Sequence, residues 1–251
     1  MKSKHRLLGS ISALITLFLS LQANAVQGGT PSPANSLLAS KIIALGEFQN
    51  KTLIRSTCSG VIVSQHAIIT AAHCLYQKDA TQIAVLFGND AMRTTIARMG
   101  LSITIPTKYA PYGDRLPDAR DNYDIAVLRF KGDLPAGFSP VSIVTRELME
   151  RDNGSTLFVA GFGLPHTGTL SACTVNILSG SFSNTEFELQ SSPSCTPAGG
   201  DSGGPDYQIQ NNQVMLYGIH NWGWHDQAGT PNLSVEVRMS FFGVWILGLS
   251  Q

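Results

Sequence analysis

Short apolar runs separated by turn residues are the main pattern of the sequence. Most runs hold four to six consecutive residues, are rich in Val and Ile, and lie between segments with Gly, Pro, Asn or Asp. Clear examples are residues 60–63, 67–70, 83–87, 125–130, 157–160 and 214–219. This length and composition are typical of β-strands, and long helices are not indicated. The pattern therefore predicts an all-β protein built from barrels or sandwiches.

One segment interrupts this pattern near the middle of the chain. Residues 131–140 contain two Gly and two Pro, the residue types that end regular structure. We interpret the segment as a linker between two halves of the protein. The predicted units are residues 26–135 and residues 136–251.

The first 25 residues have the composition of an export signal. Lys2, Lys4 and Arg6 precede an apolar run at 7–21, and the small-x-small tripeptide 23–25 follows it. A membrane anchor is the alternative, but the run is shorter than the ~20 residues that span a bilayer. We therefore predict residues 1–25 as a signal peptide, a mature chain that starts at Val26, and secretion to the periplasm or the extracellular space.

Charge excludes some classes of partner. Acidic and basic residues balance at 17 each, and removal of the signal would take away three basic residues, which leaves a net charge of −3. No basic patch suggests nucleic-acid binding. The apolar segment 241–247 is too short to span a bilayer and is expected to pack as a short terminal helix. We expect no membrane contact after signal removal, and a monomer.

Four cysteines in an exported chain favour two disulfides, for which three pairings are open. Zinc binding is the competing interpretation. The cysteines are separated by 16, 99 and 22 residues, and none forms the short pair that usually seats this ion. We predict no metal and no cofactor.

Three short segments carry residues that can do chemistry. His73 ends the segment TAAH, Asp124 lies in NYDIAVL at the start of an apolar run, and Ser202 lies in GGDSGGP. Taken singly, each has an ordinary structural explanation, because a lone His, an Asp at a turn and a Gly-rich loop are all common.

Taken together, in the order His, Asp, Ser, the segments resemble the chymotrypsin/trypsin family of serine proteases, in its exported bacterial form. The resemblance extends from about residue 26 to residue 245. It implies two antiparallel β-barrels with the active site in the cleft between them, and polypeptide substrates. It also implies that His73 is the general base, that Asp124 orients it, and that Ser202 is the nucleophile. The amides of Gly200 and Ser202 would form the oxyanion hole.

The resemblance also extends to the cysteines. Cys58 and Cys74 have the spacing of the family's disulfide beside the catalytic His, which leaves Cys173 and Cys195 as the second pair. Many family members have a Cys four residues before the nucleophile, where this chain has Ala198.

In this family the mature N-terminus pairs with the Asp before the nucleophile. Here the resemblance implies a pair between the α-ammonium of Val26 and Asp201. The predicted signal cleavage falls directly before Val26, so export alone would create this N-terminus. Trimming by a second protease is the alternative.

The substrate pocket departs from the trypsin pattern. Its floor corresponds to Thr196, where an Asp selects Arg and Lys, so a basic preference is not expected. The walls correspond to Gly199, Asn221, Trp222, Gly223 and Asn232. His220 lies in a Gly-Ile-His segment similar to that of glutamyl endopeptidases, whose His binds a substrate carboxylate. A structural core His is the alternative, and an acidic and a neutral preference both remain open.

Two other functions are compatible with parts of the sequence. The segment GDSGG also fits the G-x-S-x-G motif of α/β-hydrolase esterases, but in those enzymes the acid and the His follow the Ser. An exported binding protein that keeps the fold without catalysis is the second alternative. Protein protease inhibitors are expected as additional partners of an active enzyme.

Overall fold

The strands of the structure, a computed structural model, largely follow the apolar runs of the sequence. The structure describes residues 26–111, 123–152, 154–163, 168–178, 183–192, 194–225 and 231–250. At residues 56, 222–225 and 231–233 it describes the backbone and not the side chains. The signal peptide predicted for residues 1–25 lies outside the described residues. The elements in chain order are β1 Thr30–Pro31, β2 Ile42–Gln49, β3 Thr52–Ile62, β4 Ala67–Thr70, β5 Ile83–Phe87, β6 Ile96–Thr104, β7 Ala126–Phe130, β8 Ser142–Ile143, α1 Arg146–Arg151, β9 Thr156–Gly161, β10 Ser171–Ile177, β11 Glu186–Gln190, β12 Pro205–Gln210, β13 Gln213–His225, β14 Pro231–Arg238 and α2 Met239–Leu249.

Six antiparallel strands close the first barrel in the order β2-β3-β4-β7-β6-β5. Its interior is filled by apolar side chains that alternate along the strands, among them Ile43, Leu45, Phe87, Leu128 and Phe130. Burial of this apolar surface is the main stabilising contribution to the barrel.

Six strands, β9 to β14, form the ring of the second barrel, and the short strands β1 and β8 pair with β10 and β13 of the same sheet. Its strands follow the order β10-β11-β14-β13-β12-β9, and the antiparallel pairing of β9 with β10 closes the ring. The predicted fold of two antiparallel β-barrels with a short C-terminal helix is therefore confirmed. The six-residue helix α1 was not predicted.

The start of the described chain packs on the second barrel. Val26 lies in its apolar cluster, Gln27 pairs with Thr196, and β1 pairs with β10. Val26, the first residue after the predicted cleavage point, is therefore buried against strands from the other end of the chain.

Outward-facing side chains of both barrels meet in shared clusters. Ile42 and Leu86 of the first barrel pack in one cluster with Ala160 and Tyr207 of the second. Helix α2 covers another such cluster through Phe242. Among the described residues, no helix is long and apolar enough to span a bilayer.

Candidate active site

His73 and Asp124 lie at one edge of the first barrel. β4 and β7 are antiparallel neighbours, and Thr70 at the end of β4 pairs with Ala126 at the start of β7. His73 follows β4 in a single 3₁₀ turn, and Asp124 comes just before β7, so the register brings them together.

The contact between these two side chains fixes the imidazole. Nδ1 of His73 donates to Oδ2 of Asp124 over 2.8 Å, and the backbone amide of His73 donates to Oδ1 over 2.8 Å. The Asp124 side chain is 2% exposed and that of His73 is 39% exposed. Since Nδ1 carries the donated proton, Nε2 is the nitrogen that can accept one from the solvent side.

Ser202 lies on a loop of the second half that docks on β3 of the first barrel. The backbone amide of Ser59 donates to the carbonyl of Ser202 over 2.9 Å, and the Ser59 hydroxyl donates to the carbonyl of Gly200 over 2.9 Å. Sγ of Cys74, the neighbour of His73, lies 3.9 Å from the same Ser202 carbonyl oxygen. The loop is thus tied to the first barrel beside the His73 turn.

This approach requires glycine after the serine. Gly203 has φ +80°, and a Cβ there would lie 2.1 Å from Oγ1 of Thr70 and 2.6 Å from the carbonyl oxygen of Ser59. No side chain fits between the loop and the first barrel at this position.

Ser202 and His73 are both in the described part of the chain, and the structure contains no hydrogen bond between the hydroxyl and the imidazole. Such bonds are often long in ligand-free active sites and shorten when substrate binds. The structure therefore places the backbone of Ser202 beside the His73 turn without forming that bond.

Two backbone amides of the serine loop are available. Asp201, Gly203 and Gly204 each donate to a backbone carbonyl, whereas the N–H groups of Gly200 and Ser202 have no acceptor among the described residues. Gly200 has φ +97°, a conformation that favours glycine. Two unpaired donors, two residues apart in the chain, are the arrangement that an oxyanion requires.

Val26 and Asp201 are brought together in the interior. The nitrogen of Val26 lies 3.2 Å from Oδ2 of Asp201, and both residues are almost fully buried. The amides of Gly163 and Ala198 donate to the same carboxylate over 2.8 and 2.7 Å. Burial raises the pKa of Asp201 to about 6, although these two amides and the charge of His220 oppose the rise. In the full-length chain the Val26 nitrogen is a peptide nitrogen, because Ala25 precedes it.

The residues predicted to line the pocket occupy two regions. Thr196 is buried, and its hydroxyl donates to the carbonyl of Ser192 over 2.6 Å. A Cβ on Gly199 would meet no atom within 4 Å, so space is open beside it. The other predicted pocket residues lie on β13 (His220, Asn221, Trp222 and Gly223) and on β14 (Asn232). The side chains of Trp222 and Asn232 lie outside the described residues.

His220 belongs to a polar cluster that the sequence analysis did not find. Its Nδ1 lies 3.1 and 3.2 Å from the two carboxylate oxygens of Glu236 and 3.1 Å from the hydroxyl of Ser234. Asp206 is fully buried nearby. The register that places His220 opposite Glu236 could not be read from the sequence, since Glu236 lies in an alternating strand where a polar residue is expected to face solvent.

Both disulfides are present, Cys58–Cys74 beside His73 and Cys173–Cys195 beside the segment that holds Thr196. The cysteines near His73 are therefore consumed by a covalent bond. Although Cys58, His73 and Cys74 lie close together, their sulfurs offer no thiolate to a metal ion.

Two barrels that bring an imidazole–carboxylate pair and a serine loop to one cleft define the class of chymotrypsin-like folds. The sequence matches the family model described as Trypsin across residues 27–246. It is 29% identical over 188 residues to Trypsin iota of Drosophila melanogaster, an alignment that covers 68% of this chain and 69% of that protein. The chain belongs to the trypsin family, and this membership supports its classification as a serine protease.

Proposed function

We propose that the protein is an exported serine endopeptidase in which Ser202, His73 and Asp124 act as one catalytic unit. The observation that carries the proposal is the 2.8 Å hydrogen bond from Nδ1 of His73 to Asp124 beside the docked Ser202 loop. This bond selects the tautomer in which Nε2 can accept the serine proton.

The reaction follows from these groups. Oγ of Ser202 attacks the carbonyl carbon of the scissile bond while Nε2 of His73 takes its proton, and Asp124 stabilises the resulting imidazolium. The amides of Gly200 and Ser202 donate to the oxyanion of the tetrahedral intermediate. His73 then gives the proton to the leaving amine. In the second half, water attacks the acyl carbon while His73 takes its proton, the bond to Oγ of Ser202 breaks to release the carboxylic acid product, and His73 returns the proton to Oγ.

Export and activation belong to the same proposal. Residues 1–25 are proposed as the signal peptide, and cleavage before Val26 would replace the peptide nitrogen beside Asp201 by an ammonium. The distance of 3.2 Å in the uncleaved chain supports this, because the new charge would arise without movement of the nitrogen. N-terminal sequencing of the exported protein tests the step, and any start other than Val26 contradicts it.

The proposed preference at the residue before the scissile bond is not basic. Thr196 supplies a hydroxyl at the pocket floor, already engaged by a backbone carbonyl, and no negative charge for Lys or Arg. A neutral or an acidic side chain fits better, and buried His220 favours the acidic one. Peptides that differ only at this residue measure the preference, and faster cleavage after Arg than after Ala or Glu would refute it.

A covalent serine probe tests the catalytic proposal directly. We expect an organophosphonate to label the mature protein and to inactivate it, because only an activated serine reacts quickly. Ser202→Ala should lose both labelling and peptidase activity. Ser192→Ala is the control in the same half of the chain and should keep both, because the hydroxyl of Ser192 makes an exposed contact with Ser194. Labelling that persists in Ser202→Ala, or a folded wild type that neither labels nor cleaves, would favour the noncatalytic binding protein instead.

A further inference from the structure

One residue of the first barrel, Ser59 on β3, forms hydrogen bonds with both residues of the proposed oxyanion hole. Its backbone amide donates to the carbonyl oxygen of Ser202 over 2.9 Å, and its hydroxyl donates to the carbonyl oxygen of Gly200 over 2.9 Å. Ser59 itself is fully buried. The two residues whose amides would stabilise the oxyanion are therefore held at their carbonyl groups by a single residue of β3.

The second partner of the Ser59 hydroxyl determines where its proton lies. The backbone amide of Phe162, directly after β9, donates to Oγ of Ser59 over 2.9 Å. An amide can only donate, and a serine hydroxyl carries a single proton. That proton is therefore directed to the carbonyl of Gly200, and the hydroxyl links the end of β9 to the serine loop.

The carbonyl of Gly200 belongs to a peptide group that is held at both ends. Its oxygen accepts from Ser59, and the N–H of the same peptide group, on Asp201, donates to the carbonyl of Ala198 over 3.0 Å. In the described part of the chain, the Ser59 hydroxyl is the one hydrogen-bond donor to this oxygen. The orientation of the peptide plane after Gly200 therefore depends on Ser59.

Side chains do not restrict the backbone on the other side of Gly200. Gly199 is exposed, and a Cβ there would meet no atom within 4 Å. Gly200 has φ +97°, and glycine adopts several backbone conformations at similar energy. Since sterics leave both glycines free, hydrogen bonds must select the conformation in which the N–H of Gly200 has no internal acceptor.

Ser59 is tied to the turn that carries His73. Its carbonyl accepts from the hydroxyl of Thr70 at the end of β4 over 2.7 Å. The preceding residue, Cys58, forms the disulfide with Cys74, the neighbour of His73. The same short stretch of β3 therefore supports the imidazole and the serine loop.

We propose that Ser59 is a positioning residue whose hydroxyl fixes the peptide group after Gly200 and thereby orients the N–H of Gly200 for the oxyanion. The inference rests on the proposed function and adds to it a group that contacts neither the substrate nor the reacting atoms. Because the oxygen of the substrate is negatively charged only in the transition state, the hydroxyl should contribute to kcat and hardly to substrate binding.

The test compares Ser59→Ala, which removes the hydroxyl without adding volume, with Thr57→Val, both in the exported protein. Thr57 lies two residues earlier on β3, and its hydroxyl donates to the carbonyl of Leu45 on β2 over 3.3 Å. The control therefore removes a hydroxyl–carbonyl hydrogen bond from the same strand without touching the serine loop. Titration with the organophosphonate counts the active sites, so that kcat refers to folded molecules.

Two readouts separate a positioning role from a structural one. The first is kcat and KM for a peptide anilide. The second is the adduct with a peptidyl trifluoromethyl ketone, in which Oγ of Ser202 adds to the ketone carbon, His73 takes the hydroxyl proton and the ketone oxygen becomes an oxyanion. The ¹³C resonance of a labelled ketone carbon follows protonation of this oxyanion with pH, and it therefore reports on the donors that stabilise the charge.

We expect Ser59→Ala to lower kcat about 10- to 100-fold, because removal of an oxyanion donor costs about 10²- to 10³-fold and its displacement costs less. KM should stay within about twofold of the wild-type value. The inhibition constant of the ketone should rise by the factor by which kcat/KM falls, and the oxyanion of the adduct should become protonated at higher pH. Thr57→Val should match the wild type in every readout.

A second pair of variants, Ser59→Thr and Ser59→Val, decides the question if Ser59→Ala does not fold. The two side chains have the same shape, so any strain from the added methyl group is common to both, and only Thr keeps the hydroxyl. The Thr variant should have a kcat at least about tenfold higher than that of the Val variant. Equal values would overturn the proposal.

Two further results would contradict the role of Ser59. A folded Ser59→Ala protein with kcat within about twofold of the wild-type value, or with unchanged protonation of the ketone oxyanion, overturns it and leaves the proposed peptidase standing. Lower stability with unchanged kcat per titrated site belongs to the same outcome, because it makes the hydroxyl purely structural. A wild type that forms no ketone adduct and cleaves no peptide overturns both the proposed function and this inference.

Discussion

The two barrels have the same strand topology and different interiors. The main cluster inside the first barrel consists of apolar side chains and the Cys58–Cys74 disulfide, and the one buried carboxylate among the described residues of this half, Asp124, lies at the rim. The second barrel encloses Asp201, Asp206, His220 and Glu236. The first barrel therefore packs as an apolar support for the imidazole–carboxylate pair, whereas we expect the buried ionisable groups of the second barrel to make its stability depend on pH and, under the proposed function, on cleavage before Val26.

The comparison predicts different failures in the two halves. Changes at the rim of the first barrel should affect catalysis, and changes in its interior should affect stability alone. Changes inside the second barrel should affect stability, pH dependence and specificity together, because the same buried groups serve all three.

The largest expected effect comes from Asp124→Asn. The amide would present a donor to Nδ1 and favour the wrong imidazole tautomer, so kcat should fall about 10⁴-fold in a chain that still folds. Asp133→Asn, at an 84% exposed side chain near the same barrel, is the matched control and should retain activity. Kinetics on a peptide ester and circular dichroism separate catalysis from folding, and a loss below about tenfold would contradict the role assigned to Asp124.

Removal of an aromatic ring tests the interior of the first barrel. Phe87 is fully buried, and its ring packs edge-on against Phe130 at 5.9 Å and Phe138 at 5.1 Å. Phe87→Ala should lower the free energy of unfolding by about 3–5 kcal/mol, because it removes buried surface and leaves a cavity.

Leu101→Ala, at a 53% exposed side chain, serves as control and should cost less than about 0.5 kcal/mol. Denaturant titration measures both values, and kcat of folded Phe87→Ala should stay near that of the wild type. A large loss of kcat with native stability would show that the first barrel is more than a support.

The two barrels differ in how much of their structure could be predicted from the sequence. Apolar runs predicted the strands, whereas the contact of His73 with Asp124 and the position of Ser202 were implied by the resemblance of three motifs, in their chain order, to the serine-protease family. The cluster around Glu236 depends on which residue of β14 faces His220 across β13, with a bulge after His220 shifting the register. No short segment encodes that pairing, so Ser234, Asp206 and the Ser59 contacts became visible only in the structure.

The next effect concerns the N-terminus. We compare a chain that starts at Val26 with one that retains Ala25. In the longer chain the pKa of Asp201 is raised to about 6, so its folded state binds a proton more readily than its unfolded state. Stability from this group is then complete below about pH 4 and is lost as pH rises through about 6, a loss of about 3 kcal/mol.

The α-ammonium of the shorter chain would offset that loss by pairing with the carboxylate. The two proteins should therefore have similar free energies of unfolding at about pH 4 and should diverge toward about pH 7, with the chain that starts at Val26 more stable. Deprotonation of the amine, with an ordinary pKa of about 8, should bring them together again in base. If urea titrations gave a difference in the free energy of unfolding that did not change with pH, the charge of the N-terminus would have no effect on the ionisation of Asp201.

The smallest expected effect distinguishes the cost of burying the Asp206 carboxyl group from the contribution of its packing contacts to stability. Asp206→Leu removes a carboxyl group whose oxygens accept no hydrogen bond from a described donor, and it leaves Glu236 paired with His220. We expect the free energy of unfolding to be unchanged or to rise by about 1 kcal/mol, since an apolar side chain avoids the desolvation cost. Asp206→Ala removes the same charge but leaves a cavity and should be less stable than Asp206→Leu. A strong destabilisation by Leu with a folded Asn variant would instead show that the polar side chain of Asp206 contributes to stability, and that the polar interior of the second barrel supports the fold as much as the apolar interior supports the first.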